Sequence, residues 1–176
     1  LERWVFSVVA SRGPGSRVAT DAHLKSIVAE YERTSPAVQV AFGAHKLVYA
    51  TPNSTCLARV ETLTSKEPHT LTWLESMPEG GPLLDVGANV GTYAVALAKH
   101  VGERGRVIAI EPHPVSNARL AFNASASKLT NLTLVKAAAG DTEGELMIET
   151  DGHNLGASHI SETGGIKVPA HRLLTI

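Results

Sequence analysis

An aspartate, an asparagine and two glycines stand at fixed intervals in Asp85-Val86-Gly87-Ala88-Asn89-Val90-Gly91, a D-x-G-x-N-x-G run. Each type has a use where a strand gives way to a helix, the place where open α/β sheets bind ligands. Gly87 lets the backbone turn sharply and lets a ligand approach with no Cβ in the way. Gly91 permits close packing at a helix start, where free N–H groups face a bound molecule. Asp85, at a strand tip, can accept a hydrogen bond from a ligand ammonium. Glu111 follows 20 positions after Gly91, at the end of the next apolar run. An acid there can accept both hydroxyls of a ribose. Asp141 is a third acid near the expected cleft rim. It either faces an adenine ring or is a plain turn residue, and turn chemistry favours the second.

The spacing differs from the G-x-G-x-x-G of dinucleotide sites. A pyrophosphate wants bare backbone at a helix N-terminus, and an acid beside it repels. An amino-acid ammonium welcomes that acid. The residues therefore point to S-adenosylmethionine rather than to NAD. A tight loop shaped by glycines alone is the competing reading, but it gives no reason for acids at two strand tips. The eight histidines form no H-E-x-x-H pair, and no Cys/His cluster exists, so no metal site is expected. His113 follows Glu111-Pro112 and either lies near an adenosine or is a solvated loop residue, and exposure base rates favour the second. His153 and His159 flank a loop that can approach an acceptor, where either can serve as a base, though solvated loop histidines are commoner. Residue types and spacing assign no catalytic residue. Nucleophile-elbow and P-loop motifs are absent.

These residues need a scaffold, and from Pro82 the pattern is β-α-β-α-β. Leu83–Val86, Arg106–Ile110 and Leu132–Ala137 read as strands, with helices over Gly91–Val101 and Pro114–Ser127 between them. Apolar runs separated by helices predict a parallel sheet covered on both faces. Gly140–Gly144 is a turn, Glu145–Thr150 an antiparallel return strand, then come a polar loop and a short run at Ile166–Pro169. Upstream, Leu24, Ile27, Val28 and Tyr31 recur at helical spacing between Asp21 and Arg33. Val38–Phe42 and Leu47–Tyr49 form a hairpin, and helices follow over Ser54–Leu63 and from Glu67-Pro68 to Met77. The expected organisation is α/β: an N-terminal helix and hairpin cap, residues 1–80, on a Rossmann-like cofactor-binding domain, residues 81–176.

Composition fits one soluble globular domain of 176 residues, 43% hydrophobic and 19% charged. Net charge is −1, so no basic excess marks a nucleic-acid or membrane partner. Cys56 is the single cysteine, which excludes an internal disulfide. The run Trp4–Ala10 is too short to span a bilayer and lacks signal-peptide flanks, so a cytoplasmic location is expected. Asn53, Asn123 and Asn131 each begin an N-x-S/T sequon and are read as chance matches or as helix-cap and turn chemistry.

Leu84-Asp85-Val86-Gly87-Ala88-Asn89-Val90-Gly91-Thr92-Tyr93, Gly105-Arg106-Val107 through Ala109-Ile110-Glu111-Pro112, and Asn131-Leu132-Thr133-Leu134-Val135 together resemble the FkbM-type methyltransferase family. Glu67-Pro68-His69-Thr70 with Trp73 is similar to the segment that precedes the domain in some members. The resemblance implies a class I methyltransferase sheet and S-adenosylmethionine-dependent O-methylation of a small-molecule or sugar hydroxyl. It also implies that Asp85, Gly87, Asn89 and Gly91 cradle the methionine part and Glu111 holds the ribose. Glu67 or Thr70 would close over the cofactor carboxylate. The family pattern continues beyond Arg172-Leu173-Leu174-Thr175-Ile176 into a fourth strand, so an incomplete sheet is expected here. A non-catalytic fragment or binding module is the alternative, and the apolar edge strand Leu83–Val86 is expected to drive self-association.

Overall fold

In the computed structural model the described residues are 36–151 and 154–173, with isolated helical positions between 22 and 30. The run Trp4–Ala10, most of the expected helix from Asp21 to Arg33, and His153 lie outside them. The chain divides into two units, Leu1–Thr34 and Ser35–Ile176, and the second carries every feature below.

Strands β1 (Ala37–Phe42) and β2 (His45–Ala50) form the expected antiparallel hairpin, turned at Gly43 with φ 55°. Helix α1 (Ser54–Glu61) starts at Asn53, whose Oδ1 accepts the Cys56 N–H at 2.9 Å. That satisfies one of the N–H groups a helix start leaves open. Helix α2 (Pro68–Ser76) carries Pro68 in its first turn, where a missing N–H costs nothing. Then β3 (Pro82–Val86), α3 (Thr92–Val101), β4 (Arg106–Ile110), α4 (Pro114–Ala126) and β5 (Leu132–Val135) follow in alternation. The three strands are parallel, in the order β3-β4-β5.

Side chains alternate across a strand, so Leu83, Val107 and Leu132 share one face with Asp85, Ala109 and Leu134. Helices α3 and α4 pack on that face. Val95, Leu97 and Val101 of α3 join Val107 and the hairpin residues Phe42, Leu47 and Tyr49 in one core. Ala94, Ala109 and Leu120 make a second cluster, in which small alanines let α3 approach the sheet closely. The opposite face differs from expectation. Leu84 and Val86 there are 44% and 53% exposed, so among the described residues the sheet is not covered on both faces. Ile110 is the buried exception.

The rest of the chain forms a second sheet, in the order β6-β9-β7-β8: β6 (Ala138–Gly140), β7 (Gly144–Asp151), β8 (Asn154–Ile160) and β9 (Ile166–Arg172). Strand β7 is the expected antiparallel return, but the segment read as a polar loop contains β8. Polar Ser158 and His159 sit opposite Thr150 and Glu149 in the β7–β8 register. Such a strand is made by its partner and has no apolar period to reveal it. The third strand of the parallel sheet also ends early, at Val135, because Ala138–Gly140 pairs with β9 instead.

All three sequon asparagines have structural work. Asn53 caps α1, and Asn131 Nδ2 donates to Ala98 O and Gly102 O at the end of α3. Asn123 is fully buried; its Oδ1 accepts the Ala50 N–H and its Nδ2 donates to Val90 O, each at 2.7 Å. Among the described residues no helix is long and apolar enough to cross a membrane.

Candidate cofactor-binding site

The chain reverses direction between β3 and α3 by placing Gly87 (φ 77°), Asn89 (φ 53°) and Gly91 (φ 80°) in left-handed backbone. Asparagine tolerates that region because its short amide bonds locally, and Asn89 Oδ1 accepts the Val90 N–H at 2.9 Å. The loop is tied to the end of β4. The Gly87 and Ala88 N–H groups both donate to Ile110 O, at 2.9 and 3.0 Å. Glu111, 5% exposed, completes the brace: its Oε2 accepts the Asn89 N–H and its Oε1 the His113 N–H, each at 2.8 Å. Each oxygen of an ionised carboxylate keeps a further lone pair, so this bracing leaves acceptor capacity for a ligand hydroxyl.

A cavity of about 190 Å³ opens over this loop. Of the residues singled out in the sequence, Asp85, Gly87, Asn89 and Glu67 line it. Gly91 and Glu111 stand behind its wall. A Cβ on Gly91 would lie 2.7 Å from Leu120 Cγ, whereas one on Gly87 would meet nothing within 4 Å. Thr70 stands one step away, its Oγ1 donating to Glu67 Oε2 at 3.1 Å. Asp141 is not brought to the cavity. It is exposed between β6 and β7, where its carbonyl accepts from Arg172 Nε at 3.0 Å.

Five further residues line the cavity without having been given a role from the sequence, and one of them, Ala88, lies within the glycine loop itself. Thr92 and Tyr93 open α3, directly after the glycine loop, while Arg59 ends α1 and Lys66 precedes α2. Thr92 and Tyr93 adjoin the motif and were open to reading from it. Arg59 and Lys66 have no spacing that reveals them, since only the tertiary fold brings α1 against the loop.

Electrostatically the wall is mixed, with the acids Asp85 and Glu67 on the same cavity as the cations Arg59 and Lys66. Burial, and then the negative charge of Glu111, push the Asp85 carboxyl above the ordinary aspartate range, with the Ala94 backbone N–H pulling the other way. Burial also pushes the Tyr93 hydroxyl up, helped by the charge and hydrogen bond of Glu67 and opposed by Arg59. Thr92 Oγ1 is buried at the cavity wall with no hydrogen-bond partner. Such a group is a cost in an empty site and a donor for a filled one.

His113 corrects its reading as a solvated loop residue. It is 7% exposed and caps α4, its Nδ1 accepting the Val115 N–H at 3.2 Å. His159 is exposed on β8. Among the described residues no group of three or more His, Cys, Asp or Glu is placed to hold a metal ion.

Comparison with known proteins adds the family. No curated protein sequence matches the chain. Similar solved structures include a SAM dependent methyltransferase from Aquifex aeolicus, with 23% identity over 53% of this chain and 52% of that one, TM-score 0.37. Aeropyrum pernix fibrillarin with natively bound S-adenosyl-L-methionine is 24% identical over 35% of this chain and 26% of its own, TM-score 0.32. TYW2 of M. jannaschii in complex with AdoMet is 17% identical over 56% and 42%, TM-score 0.42. The chain thus spans between 26% and 52% of the length of these structures, and likenesses this partial carry no functional argument. The model of the methyltransferase FkbM domain, in contrast, matches residues 85–175, more than half the chain, from Asp85 onward. The chain therefore belongs to the FkbM methyltransferase domain family.

Proposed function

We propose that this chain binds S-adenosylmethionine in the cavity over the β3–α3 loop and takes part in methylating a hydroxyl of a small molecule or sugar. One observation carries the reading: an ionisable Asp85, an open Gly87 and an unpartnered buried Thr92 Oγ1 converge on one cavity, with Glu111 fixed behind it. These residues fit the group. Asp85 takes the ammonium of the methionine part, and the missing Cβ of Gly87 leaves room for it. Thr92 Oγ1 gains a partner. Glu111, next to the wall, would offer the ribose hydroxyls the lone pairs that its backbone bonds leave, and Asn89 and Gly91 hold the loop in its shape. Glu67 and Thr70 order the rim together with Tyr93.

When bound, the cofactor supplies an electrophilic methyl group. The protein's share is to align an acceptor oxygen with that methyl and to keep water away. A cytoplasmic, reducing compartment suits a chain whose only cysteine, Cys56, is a buried thiol. A second reading, a cofactor-binding module without turnover, is favoured by the exposed face at Leu84 and Val86, which the described residues leave uncovered.

Calorimetric titration with S-adenosylhomocysteine, with NAD as control, tests the cofactor. Saturable binding of the first alone is expected. Glu111→Ala should weaken that binding by about 1–3 kcal/mol, the worth of hydrogen bonds to a charged acceptor. Equal affinity in the two chains would remove Glu111 from the site. Methyl transfer from labelled cofactor to candidate hydroxyl acceptors then separates the enzyme from the module.

A further inference from the structure

We propose that Arg59 is the residue that receives the carboxylate of the methionine half of the ligand; this rests on the cofactor reading above. The argument is one of charge matching. A methionine-type ligand brings both an ammonium and a carboxylate, and the cavity wall carries two acids, Asp85 and Glu67, and two cations, Arg59 and Lys66. Asp85 suits the ammonium. Glu67 has the same charge as the ligand carboxylate, and its own oxygens already take hydrogen bonds from Thr70 Oγ1 and Tyr93. Thr70 is thereby turned toward Glu67. The carboxylate is left to the cations.

Of these, Arg59 is the better placed. It is half-buried in the last turn of α1, and its charge is felt at the Tyr93 hydroxyl, whereas Lys66 is exposed in the turn before α2. Among the described residues no carboxylate forms an ion pair with Arg59. A guanidinium offers parallel N–H donors that match a carboxylate in two bonds, while an exposed ammonium is a hydrated point charge. Arg59 also lies outside residues 85–175 that match the family domain, so this contact would make α1 part of the binding site.

The prediction is a selectivity, which a general structural role would not produce. S-adenosylhomocysteine has the amino-acid end and 5′-methylthioadenosine lacks it. Arg59→Gln should weaken the first roughly 10- to 100-fold, the range expected for a hydrogen bond to a charged group, and leave the second unchanged. Arg59→Lys, which keeps the charge and loses the fork, should fall between, and thermal melts of both variants check the fold. Equal weakening of both ligands, or of neither, overturns the role of Arg59 while leaving the cofactor reading intact. A natural chain that is folded and binds neither ligand overturns both.

Discussion

Asp85 is held where its charge is least comfortable, among buried neighbours and near Glu111, and this fixes a sign for its effect on stability. Its carboxyl is raised in the folded chain relative to the unfolded one. The folded state therefore binds more protons between the ordinary aspartate value and the raised one, and stability falls as pH rises through that window. Above it the penalty is fully present; below it the penalty is absent. Asp85→Asn keeps an oxygen for the Ala94 N–H and removes the charge. Its melting temperature should exceed that of the natural chain at pH 7 and match it near about pH 3. The same variant should lose affinity for S-adenosylhomocysteine, because an amide oxygen is a weaker partner for an ammonium. A variant less stable at pH 7 would mean that the Ala94 bond to the carboxylate outweighs desolvation. At this scale the sequence was legible where residue type and position coincide. Asp85 and Glu111 were expected at strand tips, and they stand at the ends of β3 and β4. His113 was not legible, since its capping bond depends on the turn geometry after β4, and Arg59 was not, since nothing near it in sequence points to the loop.

The glycine loop is the element whose two glycines have separable tasks, and the separation is measurable. Gly91 has φ 80° and abuts Leu120, so a Cβ there would both strain the backbone and press on the α3–α4 contact. Gly91→Ala should destabilise the fold by about 1–3 kcal/mol, as overpacking in a core does, seen as a lower midpoint in urea. Gly87 has φ 77° but open space around it, so Gly87→Ala meets backbone strain of about 1 kcal/mol and no clash. Its methyl group instead enters the ligand space, and S-adenosylhomocysteine affinity should drop more than stability. If the two substitutions cost the same in both assays, the division of labour is wrong. The elements themselves were readable wherever a period or a cap was present: the hairpin at β1–β2, Pro68 opening α2, and the alternation from β3 to β5. They were not readable in the second sheet. There β8 is specified by pairing with β7, and the boundary between β5 and β6 depends on which sheet a short apolar segment joins.

At the scale of the whole unit from Ser35 on, the uneven covering of the parallel sheet by the described residues is the main consequence. Helices α3 and α4 and the hairpin bury the face that carries Leu83 and Val107, and the other face presents Leu84 and Val86. Strand β3 also has one neighbour, β4, among the described strands, so an apolar surface and an unpaired backbone edge coincide. Exposed edges of this kind pair with other chains unless charge or covering prevents it. The expected outcome is self-association, read as a molecular mass that rises with concentration in sedimentation or light scattering. Leu84→Lys should weaken it, because a charge on that face opposes stacking and Lys is a residue that natural edge strands use to stay apart. Leu84 points away from the cavity side of the strand, so S-adenosylhomocysteine affinity per chain should not change. A natural chain that stays monomeric at every concentration would show that this face is covered by other means. The mass and the affinity are thus expected to report on opposite faces of β3, association on that of Leu84 and ligand binding on that of Asp85, the next residue.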